Sequence, residues 1–244
     1  LWRPRRGRAV SFEPRKTCSR CERPATVCYC TSIRPLQTRT RVVILQHPRE
    51  EGMPIGTARM ASLSLPNSLL RVGVSFEHDP LVVRELEHRG RSALLLYPGP
   101  GARPVTDFRN EPATLVVLDG TWWQSKKLLK QNPRIAALPR VALSPERPSE
   151  YRIRREPAAE YVSTIEALRY ALSDLEGDGA RFEPLLAPFR LMVDMQLAHH
   201  GAAPRSATVR VRRPRAKQEP ALVRRLRDQL AELVLVGVEA DSYP

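Results

Sequence analysis

Residues 114–131, TLVVLDGTWWQSKKLLKQ, constrain the fold more than any other part of the chain. The run 114–118 is apolar and rich in β-branched residues, which is the pattern of a short buried strand. Asp119 and Gly120 break the run, and Thr121 followed by Gln124 has the spacing of a helix capping box. A helix is expected from Trp122 to about Gln131, ending ahead of Pro133 because the residue before a proline disfavours helical backbone. On it Trp122, Ser125, Leu128 and Leu129 fall toward one face, and Trp123, Lys126, Lys127 and Lys130 toward the other. The unit sets a carboxylate at the carboxyl end of a strand, beside the free N–H groups of a new helix. Open α/β sheets bind ligands at that edge, and helix-terminal amides suit an anionic group. An ordinary βα turn has the same local pattern, so the rest of the chain has to decide between the two.

Other segments repeat the alternation. Residues 41–46 form a second strand candidate that ends at His47-Pro48-Arg49-Glu50-Glu51. A short helix is expected after Gly56-Thr57-Ala58-Arg59, to about Leu65. Then come a strand over 68–75, a helix over 80–89 with proline in its first turn, and a strand over 93–97. The following Pro98-Gly99-Pro100-Gly101 is not a dinucleotide fingerprint, because no helix opens after it, and no G-x4-G-K-S/T loop occurs. A strand over 140–143, a loop over 144–157 and helices over 160–175 and 182–200 complete the series. The expected class is α/β, a mostly parallel sheet with helices on both faces. No run of 18 apolar residues occurs and the opening LWRPRRGRAV has no signal-peptide core, so the expected protein is soluble and cytoplasmic.

Forty Lys+Arg against 26 Asp+Glu give a formal charge of +14. Arginine dominates, and it is the side chain that pairs bidentately with phosphate and stacks on bases. A GC-rich genome enriches arginine too, but the excess favours a polyanionic partner such as RNA. Residues 1–16 are expected to form a flexible basic arm, and residues 201–244 a basic Arg- and Pro-rich tail followed by an amphipathic helix over 221–236. That helix has either the core or a second subunit to pack on, leaving monomer and homodimer both open. The four cysteines, Cys18, Cys21, Cys28 and Cys30, follow the spacing C-x2-C, six residues, C-x-C. In an intracellular chain such a cluster reads as a metal site rather than as disulfides. Four thiolates suit a closed, structural zinc, giving a small module over residues 17–36 ahead of a domain over 37–200.

Several motifs, taken in order, resemble one family. They are Cys18-x2-Cys21 with Arg23-Pro24 and Cys28-x-Cys30; Leu45-Gln46-His47-Pro48 with Glu50 or Glu51; Thr57-x-Arg59; Leu95-x-Tyr97-Pro98; Leu118-Asp119-Gly120-Thr121-Trp122 with Lys126-Lys127; Pro148-Ser149-x-Tyr151-Arg152-Ile153-Arg154; and Ser163-Thr164-Ile165-Glu166-Ala167. Over residues 18–200 the set resembles the DTW-domain proteins, the tRNA-uridine aminocarboxypropyltransferases. Ile165 stands where that family often has leucine, a mild apolar exchange. The resemblance implies a SPOUT-related α/β fold with a C-terminal trefoil knot, which periodicity does not reveal. It also implies S-adenosylmethionine as donor, a tRNA uridine as acceptor, transfer of the 3-amino-3-carboxypropyl group to uracil N3, and release of 5′-methylthioadenosine.

That reaction displaces a good neutral leaving group, so its difficult part is the nucleophile, whose N3 proton needs a base or a stabilised anion. Asp119 is the first candidate base, with a rival role in holding the donor's amino group or screening its sulfonium; Glu166 is the reserve carboxylate. The expected donor site comprises Leu118, Asp119, Thr121, Trp122, Ser163, Thr164 and Glu166. Thr121 and the turn amides face the donor carboxylate, Trp122 walls a base, and Ser163, Thr164 and Glu166 open a helix that they also cap. His47 is a candidate for proton transfer or RNA contact. Arg59, Lys126, Lys127, Tyr151, Arg152, Arg154 and Arg155 make up the expected RNA surface, on which the uridine is unstacked. The competing functions are a SPOUT-type RNA methyltransferase using the same donor, and a non-catalytic zinc-containing RNA-binding protein.

Overall fold

The computed structural model describes residues 16–143, 149–153 and 162–202, with side chains described as far as His199. The expected N-terminal arm (apart from Lys16), Arg154, Arg155 and the expected helix over 221–236 lie outside those residues. The chain divides into two compact units, Leu1–Ala203 and Pro204–Pro244, and the description below concerns the first.

Six strands form one sheet: β1 (Arg41–Gln46), β2 (Ser68–Val72), β3 (Ser92–Leu96), β4 (Arg103–Pro104), β5 (Ala113–Asp119) and β6 (Arg140–Ala142). Their order is β2-β1-β5-β3-β6-β4, and every pairing is parallel. A parallel sheet is stable only when both faces are covered. Alternation along the strands supplies two apolar faces. Val42, Ile44, Leu94, Leu115, Val117 and Val141 face one way, against α1 (Ala58–Ser64), α5 (Thr164–Glu176), α6 (Gly179–Phe182) and α7 (Ala187–Ala202). Val43, Leu45, Leu95 and Val116 face the other way, against α2 (Pro80–Leu86), α3 (Trp122–Gln131) and α4 (Pro133–Ala136). The expected α/β class with helices on both faces holds.

Where the boundaries differ from expectation, local chemistry explains it. The strand expected over 68–75 stops at Val72, because Phe76 turns into the α3-side core and its N–H donates to Asn132 Oδ1 at 2.5 Å. The helix expected over 80–89 ends at Leu86, and past it Gly90 N–H donates to His88 Nδ1 at 3.1 Å in a tight turn. The helix expected over 160–175 begins only at Thr164, where Ser163 caps it, and ends at Gly177, whose φ of +72° suits glycine. The helix expected over 182–200 is three pieces. A 3-10 turn, Glu183–Leu186, contains Pro184, which cannot donate an interior helical hydrogen bond, and it separates α6 from α7.

Buried carboxylates tie the sheet edges down. Glu85 receives Arg41, Arg84 and Arg91 at 3.1, 3.0 and 2.8 Å. Burial pushes its carboxyl up, but the three guanidiniums outweigh it and hold the group below the usual carboxylate range. Glu176, at the end of α5, accepts the N–H groups of Arg39 and Thr40 at 2.8 and 3.0 Å and so fixes the entry to β1.

Candidate active site

After β1 the chain crosses to α1 on one face of the sheet, and after β5 to α3 on the opposite face. The gap between these two neighbouring strands is therefore the topological switch point, where open α/β sheets form a ligand crevice. Gln46 and Asp119 are the carboxyl-terminal residues of the two strands and are register partners. Asp119 is only 8% exposed. Its Oδ2 accepts from Gln46 Nε2 at 2.8 Å, its Oδ1 accepts from Thr164 Oγ1 at 2.5 Å, and its main-chain carbonyl accepts from His47 N–H at 2.9 Å. The start of α5, remote in sequence, thus meets the end of β5 at one carboxylate.

Two capping boxes hold this corner. Thr121 N–H donates to Gln124 Oε1 at 2.5 Å, and Gln124 N–H donates back to Thr121 Oγ1 at 3.3 Å. A Cβ at Gly120 would stand 3.0 Å from Gln124 Oε1 and 3.1 Å from its Cβ, so a larger residue there would press on the capping glutamine. In the second box Glu166 Oε2 accepts from Ser163 N–H at 2.8 Å, Ser163 Oγ at 2.6 Å and Ser149 Oγ at 2.8 Å, while Oε1 accepts from Glu150 N–H at 2.7 Å. Glu166 is buried, and these contacts clasp the 149–153 segment to the start of α5. That geometry suits an anchor rather than a reserve base.

Beyond Asp119 the crevice rim is aromatic. Trp122 stands edge-on to Tyr97, ring centroids 5.6 Å apart, and the Arg140 guanidinium lies 5.7 Å from the Tyr97 centroid. Burial raises the Tyr97 hydroxyl above its ordinary pKa, against the pull of Arg140. Trp122 is therefore not the first core residue of its helix; Gln124, Ser125 and Leu128 make the buried face. Trp123 is 64% exposed with Lys127 Nζ 5.6 Å from its centroid, and Lys126 is exposed beside them. Leu118 packs on the α3-side core, so its side chain belongs to the sheet's support.

Several residues expected on the RNA surface have other work. Tyr151 is 3% exposed; its ring packs edge-on to Phe189 at 5.2 Å and its hydroxyl donates to the Ile55 carbonyl, so it is a buried anchor and not a stacking platform. His47 is buried and caps the 3-10 turn Pro48–Glu50, its Nδ1 accepting from Arg49 N–H at 3.2 Å. Arg59 pairs with Glu22 at 2.8 Å and Arg152 with Asp194 at 2.6 Å. Those expectations came from residue type, strand-end position and motif, and for Tyr151, Arg59 and Arg152 the burial or pairing is decided by distant segments. Gln46, Tyr97 and Arg140 join the site from the structure alone. The signal for Gln46 was a polar residue closing an apolar run, as Asp119 closes its own.

The cysteines form a compact cluster in which all four sulfurs lie within 4.8 Å of one another, with Cys18 and Cys30 3.8 Å apart and Cys21 and Cys28 3.6 Å apart. A zinc ion bound by four thiolates at about 2.3 Å needs sulfurs about 3.8 Å apart, so the set fits it. The N–H groups of Cys21 and Arg20 pull the Cys18 thiol down to about 6, whereas burial pushes Cys30 up. A knuckle supports the cluster: Cys18 N–H donates to the Arg23 carbonyl, Glu22 N–H donates to the Cys18 carbonyl, and Glu22 takes a φ of +60°. Cys21 and Tyr29 are buried in the α5–α7 core, so the module is part of that core.

Compared with known proteins, residues 15–197 match the DTW domain. The chain is 34% identical to mouse tRNA-uridine aminocarboxypropyltransferase 2 over 195 residues, 77% of this chain and 65% of that protein. It is 32% identical to the Drosophila melanogaster protein of the same name over 198 residues, 77% of this chain and 79% of that protein. To tRNA-uridine aminocarboxypropyltransferase A of Arabidopsis thaliana it is 28% identical over 235 residues, 78% of this chain and 87% of that protein. The match thus spans just under two thirds of the mouse relative's length. No solved structure matches.

Proposed function

Because the chain belongs to the DTW-domain family, we propose that it transfers the 3-amino-3-carboxypropyl group of S-adenosylmethionine to N3 of a uridine in tRNA and releases 5′-methylthioadenosine. The observation that carries the reading is the buried Asp119 carboxylate at the switch point, aimed by Gln46 and Thr164. The names of the relatives give the transferred group and the acceptor. The formal charge of +14 suits an RNA partner.

In the proposed reaction the uracil N3 lone pair attacks the donor's γ carbon, and the N3–C bond forms as the S–C bond breaks. The bonding electrons stay on sulfur, which leaves as a neutral thioether. Asp119 takes the N3 proton, and the hydrogen bonds from Gln46 and Thr164 orient its carboxylate for that step. Trp122 and Tyr97 supply an aromatic wall for the donor's nucleoside. Thr121 and the first amides of α3 complete the donor site. Thr164 acts directly on Asp119, whereas Ser163 and Glu166 position Thr164. Lys126, Lys127 and Trp123 face outward for phosphate and base contact, and the basic tail over 201–244 adds electrostatic attraction.

Zinc held by Cys18, Cys21, Cys28 and Cys30 is structural in this reading and fixes the 17–36 module against the 37–200 domain. We place the fold in the SPOUT class with a C-terminal trefoil knot. The all-parallel sheet and the clasp of the 149–153 segment against α5 support that placement. No helix among the described residues is long and apolar enough to cross a membrane, which fits a cytoplasmic enzyme.

Incubating the full chain with tRNA and S-adenosylmethionine, then identifying the small-molecule product, tests the activity. Methylthioadenosine is expected. S-adenosylhomocysteine would instead mark a methyltransferase, and RNA binding without donor turnover would mark a non-catalytic protein.

A further inference from the structure

A cavity of about 140 Å³ lies between the cysteine module and the end of β1, lined among others by Arg23, Tyr29, Gln46, Glu50, Glu51 and Arg59. That volume accommodates a small zwitterion with its waters. Arg23 is 6% exposed, and its Nε and Nη1 are buried without a hydrogen-bond partner among the described residues. Its guanidinium stands 5.5 Å from the Tyr29 ring centroid, a contact that offsets only part of the cost of burying a charge. Arg59, the other guanidinium lining the cavity, is already paired with Glu22 at 2.8 Å. The carboxylates Glu50 and Glu51 line the same space. A buried guanidinium with open hydrogen-bond donors and two glutamates around a small cavity match a ligand with both charges, a carboxylate for Arg23 and an ammonium for the glutamates. They do not match a phosphate, which the two glutamates would repel.

We infer that this cavity binds the α-amino-acid end of the sulfonium donor, with Arg23 receiving the carboxylate and Glu50 and Glu51 the ammonium. The assignment rests on the activity proposed above and deepens it. Gln46 links the two sites, since it lines the cavity and also donates to Asp119 at 2.8 Å. Strands in a sheet are about 4.8 Å apart, so the ends of β1, β5 and β3 span about 10 Å. An extended donor laid across them sets its amino-acid group at β1, its reacting carbon over Asp119 on β5, and its nucleoside against Tyr97 and Trp122 beyond β3.

The test compares the affinity of the full, metal-loaded chain for S-adenosylmethionine, decarboxylated S-adenosylmethionine and methylthioadenosine by calorimetry. Wild type is expected to bind S-adenosylmethionine about tenfold to a hundredfold more tightly than the decarboxylated analogue. Arg23→Gln should erase that preference and leave methylthioadenosine affinity unchanged. A merely structural role beside the cysteines would lower affinity for all three ligands together, or alter metal content alone. If Arg23→Gln does not fold, Glu50→Gln decides: it should weaken both amine-bearing ligands and spare methylthioadenosine. Equal effects on all three ligands, or no preference in wild type, would overturn the cavity assignment while the activity stands. Wild type that binds none of the three overturns the activity as well.

Discussion

The chemistry concentrates on Asp119, and its neighbours predict a graded response. In the proposed reaction Asp119→Ala removes the base and is expected to cut kcat by about a hundredfold to ten-thousandfold. Thr164→Val and Gln46→Leu each remove one hydrogen bond to the carboxylate, and each should cost about tenfold to a hundredfold in kcat with little change in RNA affinity. Steady-state kinetics separates the two classes. If Gln46→Leu and Thr164→Val change only KM, Asp119 acts in binding and not in proton transfer. Trp123 belongs to the acceptor side. Trp123→Ala should raise KM for tRNA about fivefold to a hundredfold, the range of one lost base stack, and leave donor affinity alone. Asp119, Thr121 and Gln124 were legible in the sequence because strand end and cap lie within a few residues. The burial of His47 and Tyr151 was not legible, because residue type does not report it, and Tyr151 is enclosed by Ile55 and Phe189 from elsewhere in the chain.

At the scale of elements, the two capped helices converge on one strand end, and their caps should have unequal value. Gln124 closes a local turn. Glu166 satisfies buried donors from Ser149, Glu150 and Ser163, so its loss strands several polar groups at once. Glu166→Ala is expected to destabilise the protein by about 2–4 kcal/mol, against about 1 kcal/mol for Gln124→Ala. Chemical denaturation of the purified variants measures the difference, and equal losses would show that the clasp to the 149–153 segment contributes nothing. Strands and long helices were readable from apolar periodicity, and α3 matches its expected range of Trp122 to Gln131. The four-residue α4 and two-residue β4 are too short to carry a period. Gln46 and Asp119 end strands that three others separate in the sequence, and Gln46 became the partner of Asp119 only through parallel register, which no local pattern encodes.

For the whole molecule, charge and metal set the conditions of stability. Arg190 holds the Glu183 carboxyl below its ordinary 4.5, and the arginines around Glu85 do the same there. Both groups release protons more readily folded than unfolded. Their contribution is therefore present above about pH 4.5 and lost as pH falls through the lower folded values. Thermal melts should be level near neutrality and fall in mild acid; a melting point that rises on acidification would contradict this. If the cysteine cluster holds the proposed zinc, removing the metal with a chelator should lower the melting temperature by several degrees or more, since Cys21 and Tyr29 are part of the α5–α7 core. Activity lost without any change in melting would contradict a structural metal. The mostly parallel α/β class and the basic balance could be read from composition and alternation, whereas the switch point needed to know which face each helix covers. The central claim is that the amino-acid side chain of the donor, and not its methyl group, moves to RNA at Asp119. It is tested most directly with S-adenosylmethionine carrying one isotope in the aminocarboxypropyl carbons and another in the methyl group, followed by mass spectrometry of tRNA nucleosides. The account predicts that a uridine gains the first label alone, and that Asp119→Ala abolishes the gain; methyl label in the RNA, or full transfer by the variant, would contradict it.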